Sequence, residues 1–213
     1  MADAADREPV APPNLAAAIG GPRGVAETSL PAVAFVVAYT ASGSDTNTAA
    51  IVAVALALVL TVARLVRRES PQHALSGLVG VGFAAFVATR SGKAENFFLP
   101  GLLANAAYAS AFLISLAVRR PLVGIIVTKL DGEDDGWRQD PARMRAFVLA
   151  SMVWAGLFLL RLVVQLPLYL AGAVVALGVA KTAMGLPLFA VGLWLTWRMV
   201  RPVREPDRET EAT

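Results

Sequence analysis

The chain has 213 residues, 56% hydrophobic and 16% charged, with a net charge of +3. A charged fraction below the ~25% usual for soluble domains, with apolar residues gathered in long runs, excludes a disordered chain and argues against a soluble globule. The small net charge gives no reason to expect nucleic acid as a partner. With no cysteine and one histidine, His73, the chain can build no disulfide, thiolate nucleophile or Cys/His metal centre, and no cofactor is implied.

Residues 1–19 are polar and rich in Pro and Ala, with Asp3, Asp6, Arg7 and Glu8 ahead of Pro9, Pro12 and Pro13. They lack the basic start and immediate apolar stretch of a secretory signal, and a disordered cytoplasmic tail is expected there. A transmembrane domain follows over residues 20–200. Its apolar runs cover about 25–41 (with Pro31 inside), 49–66, 74–89, 97–118, 147–170 and 172–199. A spanning helix needs about 20 residues, so the first and third runs are short and the last two are long. No run alternates with period two, which leaves helices as the only spanning structure. The expected fold is therefore an all-α polytopic membrane protein with six transmembrane helices in three hairpins.

Orientation follows from the basic residues. Arg7, Arg23, Arg64, Arg67, Arg68, Arg119, Arg120, Lys129, Arg138, Arg143, Arg145, Arg198, Arg201, Arg204 and Arg208 fall on one side, which is 15 of the 19 Lys and Arg. Arg90 and Lys93 fall on the other, and Arg161 and Lys181 lie inside runs. Both termini are thus expected in the cytoplasm, with 119–146 a cytoplasmic loop and 201–213 a charged cytoplasmic tail. Within the loop, Pro121–Leu130 is apolar but too short to span and reads as a surface-lying helix. Asp131, Glu133 and Asp135 then alternate before Gly136 like a calcium loop. The twelfth position is Ala142, where a bidentate Glu is required, so the segment reads as a solvated turn.

Four helices carry small residues at every fourth position: Ala49, Ala53, Ala57 and Thr61; Ser76, Gly80, Ala84 and Ala88; Ala107, Ala111 and Ser115; Gly172, Ala176 and Ala180. Such stripes let backbones approach, either within a bundle or across a dimer face. They also arise by chance in an Ala-rich sequence.

The polar residues within the spans are the candidate site. Charges there are expensive and point to function. Arg161 lies nine residues before the outer turn near Leu170, Lys181 nine residues after Gly172, and Asn105 eight residues into the fourth run. At 1.5 Å per residue the three share one depth. Gln165 stands one turn above Arg161, while Pro167 and Pro187 free backbone carbonyls nearby. No carboxylate lies at that level, so an anion would relieve the mutual repulsion of the two cations. The expectation is an outward-opening anion or polar site built on Arg161, Lys181, Gln165 and Asn105, with Arg90 at its mouth and Glu95 as an internal alternative. The competing reading is that the two long helices project outward and their cations snorkel to the interface. On the first helix, Arg23 and Glu27 are four apart and suit a structural ion pair.

Several blocks then carry a resemblance. They are Gly20-Gly21-Pro22-Arg23-Gly24-Val25-Ala26-Glu27 with Pro31, Ala74-Leu75-Ser76-Gly77, Thr89-Arg90-Ser91-Gly92-Lys93-Ala94 with Phe97-Phe98-Leu99-Pro100-Gly101, Arg119-Arg120-Pro121-Leu122-Val123-Gly124, and Leu160-Arg161 with Gln165-Leu166-Pro167-Leu168-Tyr169. Over about residues 20–200 the chain resembles an actinobacterial membrane-protein family, domain of unknown function 3159. The resemblance implies a multi-helix plasma-membrane protein and no established activity, so no catalytic residue is carried over. The layout is also loosely similar to the bacterial intracellular septation protein A family, with no shared motif.

Two functions are expected from these features: a small transporter or binder of an anionic solute or lipid head group, or a structural, envelope-organising protein without transport. An enzyme is not expected, since acid–base machinery is hard to assemble from these residues. The expected partners are the lipid bilayer of a bacterial plasma membrane, an anionic lipid or solute, and further copies of the chain in a homo-oligomer.

Overall fold

The computed structural model describes residues 21–69, 71–132 and 135–210, and the side chains within them except at 21–28, 73, 131, 135 and 202–210. Among the described residues there are helices and turns but no strand. In chain order these are α1 (Gly21–Ala41), α2 (Thr46–Val66), α3 (Pro71–Ser91), a one-turn 3-10 helix (Ala94–Phe97), α4 (Leu99–Ala117), α5 (Leu122–Asp131), a second 3-10 turn (Asp135–Gln139), α6 (Pro141–Leu170), α7 (Val174–Ala183) and α8 (Leu186–Thr210). Five segments are long and apolar enough to cross a membrane: Thr46–Val66, Ala74–Ser91, Leu99–Ala117, Pro141–Leu170 and Val174–Arg201. Ser29–Ala41 adds a shorter apolar stretch. The chain is an all-helical membrane protein with five or six membrane-length helices.

Why the helices begin and end where they do is local chemistry. The Asp45 carboxylate accepts hydrogen bonds from the Asn47 and Thr48 amides and so caps α2. Asp140 accepts from the Ala142 amide at the start of α6, with Pro141 in the first turn. Two C-termini are closed by an arginine in the left-handed region, Arg68 (φ 57°) after α2 and Arg119 (φ 54°) after α4. Glycine is the usual residue there; a cation at this position is favoured by the negative end of the helix dipole.

The small-residue stripe of α2 is buried as expected: Ala49, Ala53, Ala57 and Thr61 pack between α1 and α3. Thr61 also donates to the Ala74 carbonyl of α3. The other three stripes are only partly inward. On α3, Ala84 and Ala88 are buried but Ser76 and Gly80 are exposed. On α4, Ser115 is buried while Ala107 and Ala111 are exposed. On α7, Val174, Leu177 and Gly178 face inward, while Ala176 and Gly172 in the turn before the helix are exposed. An Ala-rich helix offers several stripes, and tertiary packing chooses among them.

Two cores result. One joins α1, α2, α3 and α7 through the 3-10 turn, with Phe35 stacked on Phe97 at 4.0 Å between ring centres and edge-on to Phe98. The other joins α4, α5, α6 and α8 around Phe112, Trp137, Phe147 and Ala150. Helix α5, expected on the surface, is docked on α6 along one face. Its leading amides are satisfied by serines of two long helices, Leu122 N–H donating to Ser115 Oγ and Val123 N–H to Ser151 Oγ. Gly124 admits the Trp137 and Phe147 rings, since a Cβ there would lie 2.9 Å from each.

The boundary that differs most from expectation is the last run. A single helix over 172–199 is replaced by α7 and α8, separated at Met184-Gly185. Pro187 has no N–H to offer the Ala183 carbonyl, and its ring would crowd it, so α7 stops at Ala183. Helix α6 begins at Pro141 rather than 147, and α8 carries helix into the expected tail as far as Thr210. The 1–19 tail lies outside the described residues, as do the Arg23 and Glu27 side chains and most of the acidic turn.

Candidate functional site

A cavity of about 450 Å³ lies beside the first core, at Ala32 and Phe98. Its walls come from α1 (Ser29, Ala32), the start of α4 (Phe98, Gly101, Ala104, Asn105), α6 (Arg161, Gln165), α7 (Lys181, Thr182) and the α7–α8 break with the start of α8 (Gly185, Leu186, Phe189). Four residues singled out from the sequence thus line one space: Arg161, Gln165, Lys181 and Asn105. Arg90 does not line it; it is exposed in the last turn of α3. Glu95, in the 3-10 turn, is also not among the lining residues.

The guanidinium of Arg161 is half-buried, and its Nη2 donates to the Gly185 carbonyl at 2.9 Å. This places the α6 cation on the break in the last run, one turn beyond Lys181. The Arg161 Nε is buried and has no hydrogen-bond partner among the described residues. Phe158 lies beneath the guanidinium, 5.9 Å from its ring centre.

Lys181 is half-buried, with Nζ 5.4 Å from the ring centre of Phe98 and 6.0 Å from that of Phe97. The same Nζ lies 3.8 Å from where a Cβ on Gly101 would sit. Ring faces attract the ammonium and partly offset its desolvation. The α4 N-terminus beside it does the opposite, because the positive end of the helix dipole disfavours a cation. Among the described residues nothing hydrogen-bonds or ion-pairs with Lys181.

Gln165 is 5% exposed and lines the cavity with no hydrogen bond to its side chain among the described residues. Its amide opens to the cavity, where a polar ligand can reach it. Thr182 donates its hydroxyl to the Gly178 carbonyl, which leaves its oxygen lone pairs for another donor. Outside the cavity, Tyr169 donates to Asn96 and ties the end of α6 to the 3-10 turn.

Among the described lining residues there is no Asp or Glu, and among all described residues no group of three His, Asp or Glu side chains is placed to hold a metal. The arrangement is therefore an electropositive, donor-rich cavity. That chemistry suits negative charge.

Sequence reasoning missed Ser29, Gly101, Thr182 and the Gly185 carbonyl. Signals existed for two of them: Pro100-Gly101 opening a helix for Gly101, and Gly185-Leu186-Pro187 interrupting one for the Gly185 carbonyl.

The model of a family described as "Protein of unknown function (DUF3159)" matches residues 19–207. No curated protein matches the chain, and no solved structure does.

Proposed function

Since the chain belongs to that family of unknown function, we propose from the cavity that it binds an anionic solute or lipid head group within the membrane and acts as a small transporter for it. The observation that carries this reading is the pairing of Arg161 and Lys181 on one cavity with no acidic residue among its described lining residues. Two uncompensated cations in low dielectric repel each other and lose hydration, and a bound anion offsets both costs. The interrupted last run supports the transport part, since broken helices with a site at the break are a recurring transporter device. A non-enzymatic role fits a lining without His, Cys or carboxylate among its described residues.

The proposed setting is a bacterial plasma membrane with both termini in the cytoplasm, following the one-sided basic loops. A cysteine introduced at position 45 is then labelled from outside and one at position 134 only from inside. The opposite pattern would overturn the orientation.

The test of function is flux in proteoliposomes. Wild-type protein takes up an anion from a broad panel, and Arg161→Ala and Lys181→Ala each abolish uptake while remaining folded. Equal behaviour of folded variants and wild type across the panel would remove the proposal.

A second reading, a structural protein that organises the envelope as a homo-oligomer, is favoured by the small-residue faces that α3 and α4 leave uncovered, at Ser76 and Gly80 and at Ala107 and Ala111. Crosslinking in native membranes would recover a stable oligomer; a clean monomer would count against it.

A further inference from the structure

Resting on the anion reading above, we propose that the ligand is a tetrahedral oxyanion carrying two negative charges, a phosphate group held between the Lys181 ammonium, the first turn of α4 and the Arg161 guanidinium. Three independent features select that class.

The first is charge. Arg161 and Lys181 supply two cations to one cavity. A monoanion would leave one of these half-buried cations unneutralised, whereas a dianion balances both.

The second is the α4 N-terminus. At the opening of the 19-residue α4, Pro100 has no N–H and the Leu102 amide donates to the Phe98 carbonyl at 3.1 Å, which leaves the Gly101 amide as the first-turn donor beside the cavity, at the end of the dipole that favours negative charge. Gly101 has no side chain, and Lys181 Nζ lies 3.8 Å from the vacant Cβ position. The backbone and the ammonium thus share one corner. Placing a cation at the positive end of a helix is unfavourable unless an anion sits between them.

The third is Gln165, which is 95% buried by its 5% exposure, lines the same cavity and has no hydrogen-bond partner among the described residues. Gln165 on α6 and Asn105 on α4 add amide donors to the same cavity. Lys181, Arg161, Gln165 and Asn105 bring their donors from three helices, α7, α6 and α4. A planar carboxylate presents two oxygens in one plane, while a phosphate presents at least three oxygens in different directions and can satisfy donors arriving from several sides.

Free phosphate, a soluble phosphomonoester and the head group of phosphatidic acid all offer this chemistry. Titration calorimetry on the full chain in phosphatidylcholine nanodiscs distinguishes the classes. Its probes are inorganic phosphate, glycerol phosphate, sulfate, succinate, acetate and chloride; a parallel set of nanodiscs contains phosphatidic acid.

Phosphates and sulfate are expected to bind. Phosphomonoester affinity rises several-fold from pH 5.5 to 7.5 as the second proton leaves, near pH 6, while sulfate affinity stays flat. Lys181→Gln and Arg161→Gln each weaken phosphate by about tenfold or more, as loss of a charge-assisted contact implies. Gln165→Leu gives a signature no structural role would give: its amide opens to the cavity, so the anion-free protein keeps wild-type heat stability, yet phosphate binds several-fold more weakly. If phosphatidic acid removes the response to added phosphate and raises stability, the source is the lipid head group; if phosphate competes with it freely, the source is soluble. Either result supports the proposal.

Binding of succinate or acetate that depends on Arg161 and Lys181, without binding of phosphate or sulfate, would overturn the tetrahedral class and leave the anion reading standing. Absence of binding for every probe, with the protein folded and phosphatidic acid without effect, would overturn both.

Discussion

Gly178 is the position where a single methyl group tests the packing that sets the site. It lies on α7, three residues before Lys181, and faces Val36 of α1. A Cβ built there falls inside the contact envelope of Val36 Cγ2 and lies 3.4 Å from Val36 Cβ and 3.7 Å from Cγ1. Val36 is β-branched and held to one rotamer in a helix, so it cannot swing aside. Carbon atoms prefer about 3.5–4.0 Å; relieving the Cγ2 overlap therefore requires α7 to back away from α1 by about 1 Å. Overpacking of this kind costs about 1–3 kcal/mol. Replacing glycine by alanine in a helix returns about 1 kcal/mol.

The net effect of Gly178→Ala is a loss of about 0–2 kcal/mol. Gly80→Ala on α3, where nothing lies within 4 Å, keeps only the gain. The two variants should therefore differ by about 1–3 kcal/mol, or roughly 2–12 °C in Tm for a chain of this size. Thermal unfolding of the detergent-solubilised protein reads this difference directly. Val36→Ala combined with Gly178→Ala should recover most of the loss, because it removes the obstructing methyl groups. Equal Tm values for Gly178→Ala and Gly80→Ala, or no relief from Val36→Ala, would refute the close α1–α7 approach and with it the placement of Lys181.

Two further expectations concern the remainder of the fold. Ser151→Ala removes the acceptor for the buried Val123 amide, 3.2 Å from Ser151 Oγ. It should cost about 1–3 kcal/mol and loosen α5, seen as faster hydrogen exchange at Val123 and faster proteolysis in the 119–140 segment; unchanged exchange would show that α5 is held by other contacts. At Asp45, the Thr48 hydroxyl, the Thr48 amide and the Asn47 amide hold the carboxyl below its ordinary value of 3.8. A depressed folded pKa means the capping stabilisation is present above the ordinary value and is lost as pH falls through the lowered one. Exchange protection of the Asn47 and Thr48 amides should therefore fade on acidification below pH 3.8, and Asp45→Asn should remove that pH dependence; identical profiles for both proteins would refute the cap.

Much of the architecture was legible because lipid imposes a one-dimensional rule. Backbone groups in hydrocarbon must bond internally, so apolar length alone marks the helices. The stripe on α2 was also legible, since it is the most continuous one and its whole length packs between α1 and α3. The stripes on α3, α4 and α7 were not, because several faces of an Ala-rich helix are equally small.

For the site, equal depth brought Arg161, Lys181, Gln165 and Asn105 together in advance. Depth says nothing of direction around a helix, and Arg90 consequently stands outside the cavity, at the end of α3. The break at Met184-Gly185 was foreshadowed by Pro187, but the use of the Gly185 carbonyl by Arg161 was not.

By itself, then, the sequence determined that this is a helical membrane chain with two cations, Arg161 and Lys181, inside its long apolar runs. These properties follow from composition summed along short segments. Only the tertiary structure decided that α1, α4, α6 and the interrupted last run enclose a shared cavity, that Gly101 brings the α4 terminus up to Lys181, and that Gln165 is buried there without a partner. Such facts depend on the rotation of each helix about its own axis and on how closely neighbours approach, and these are set by contacts between residues far apart in the chain.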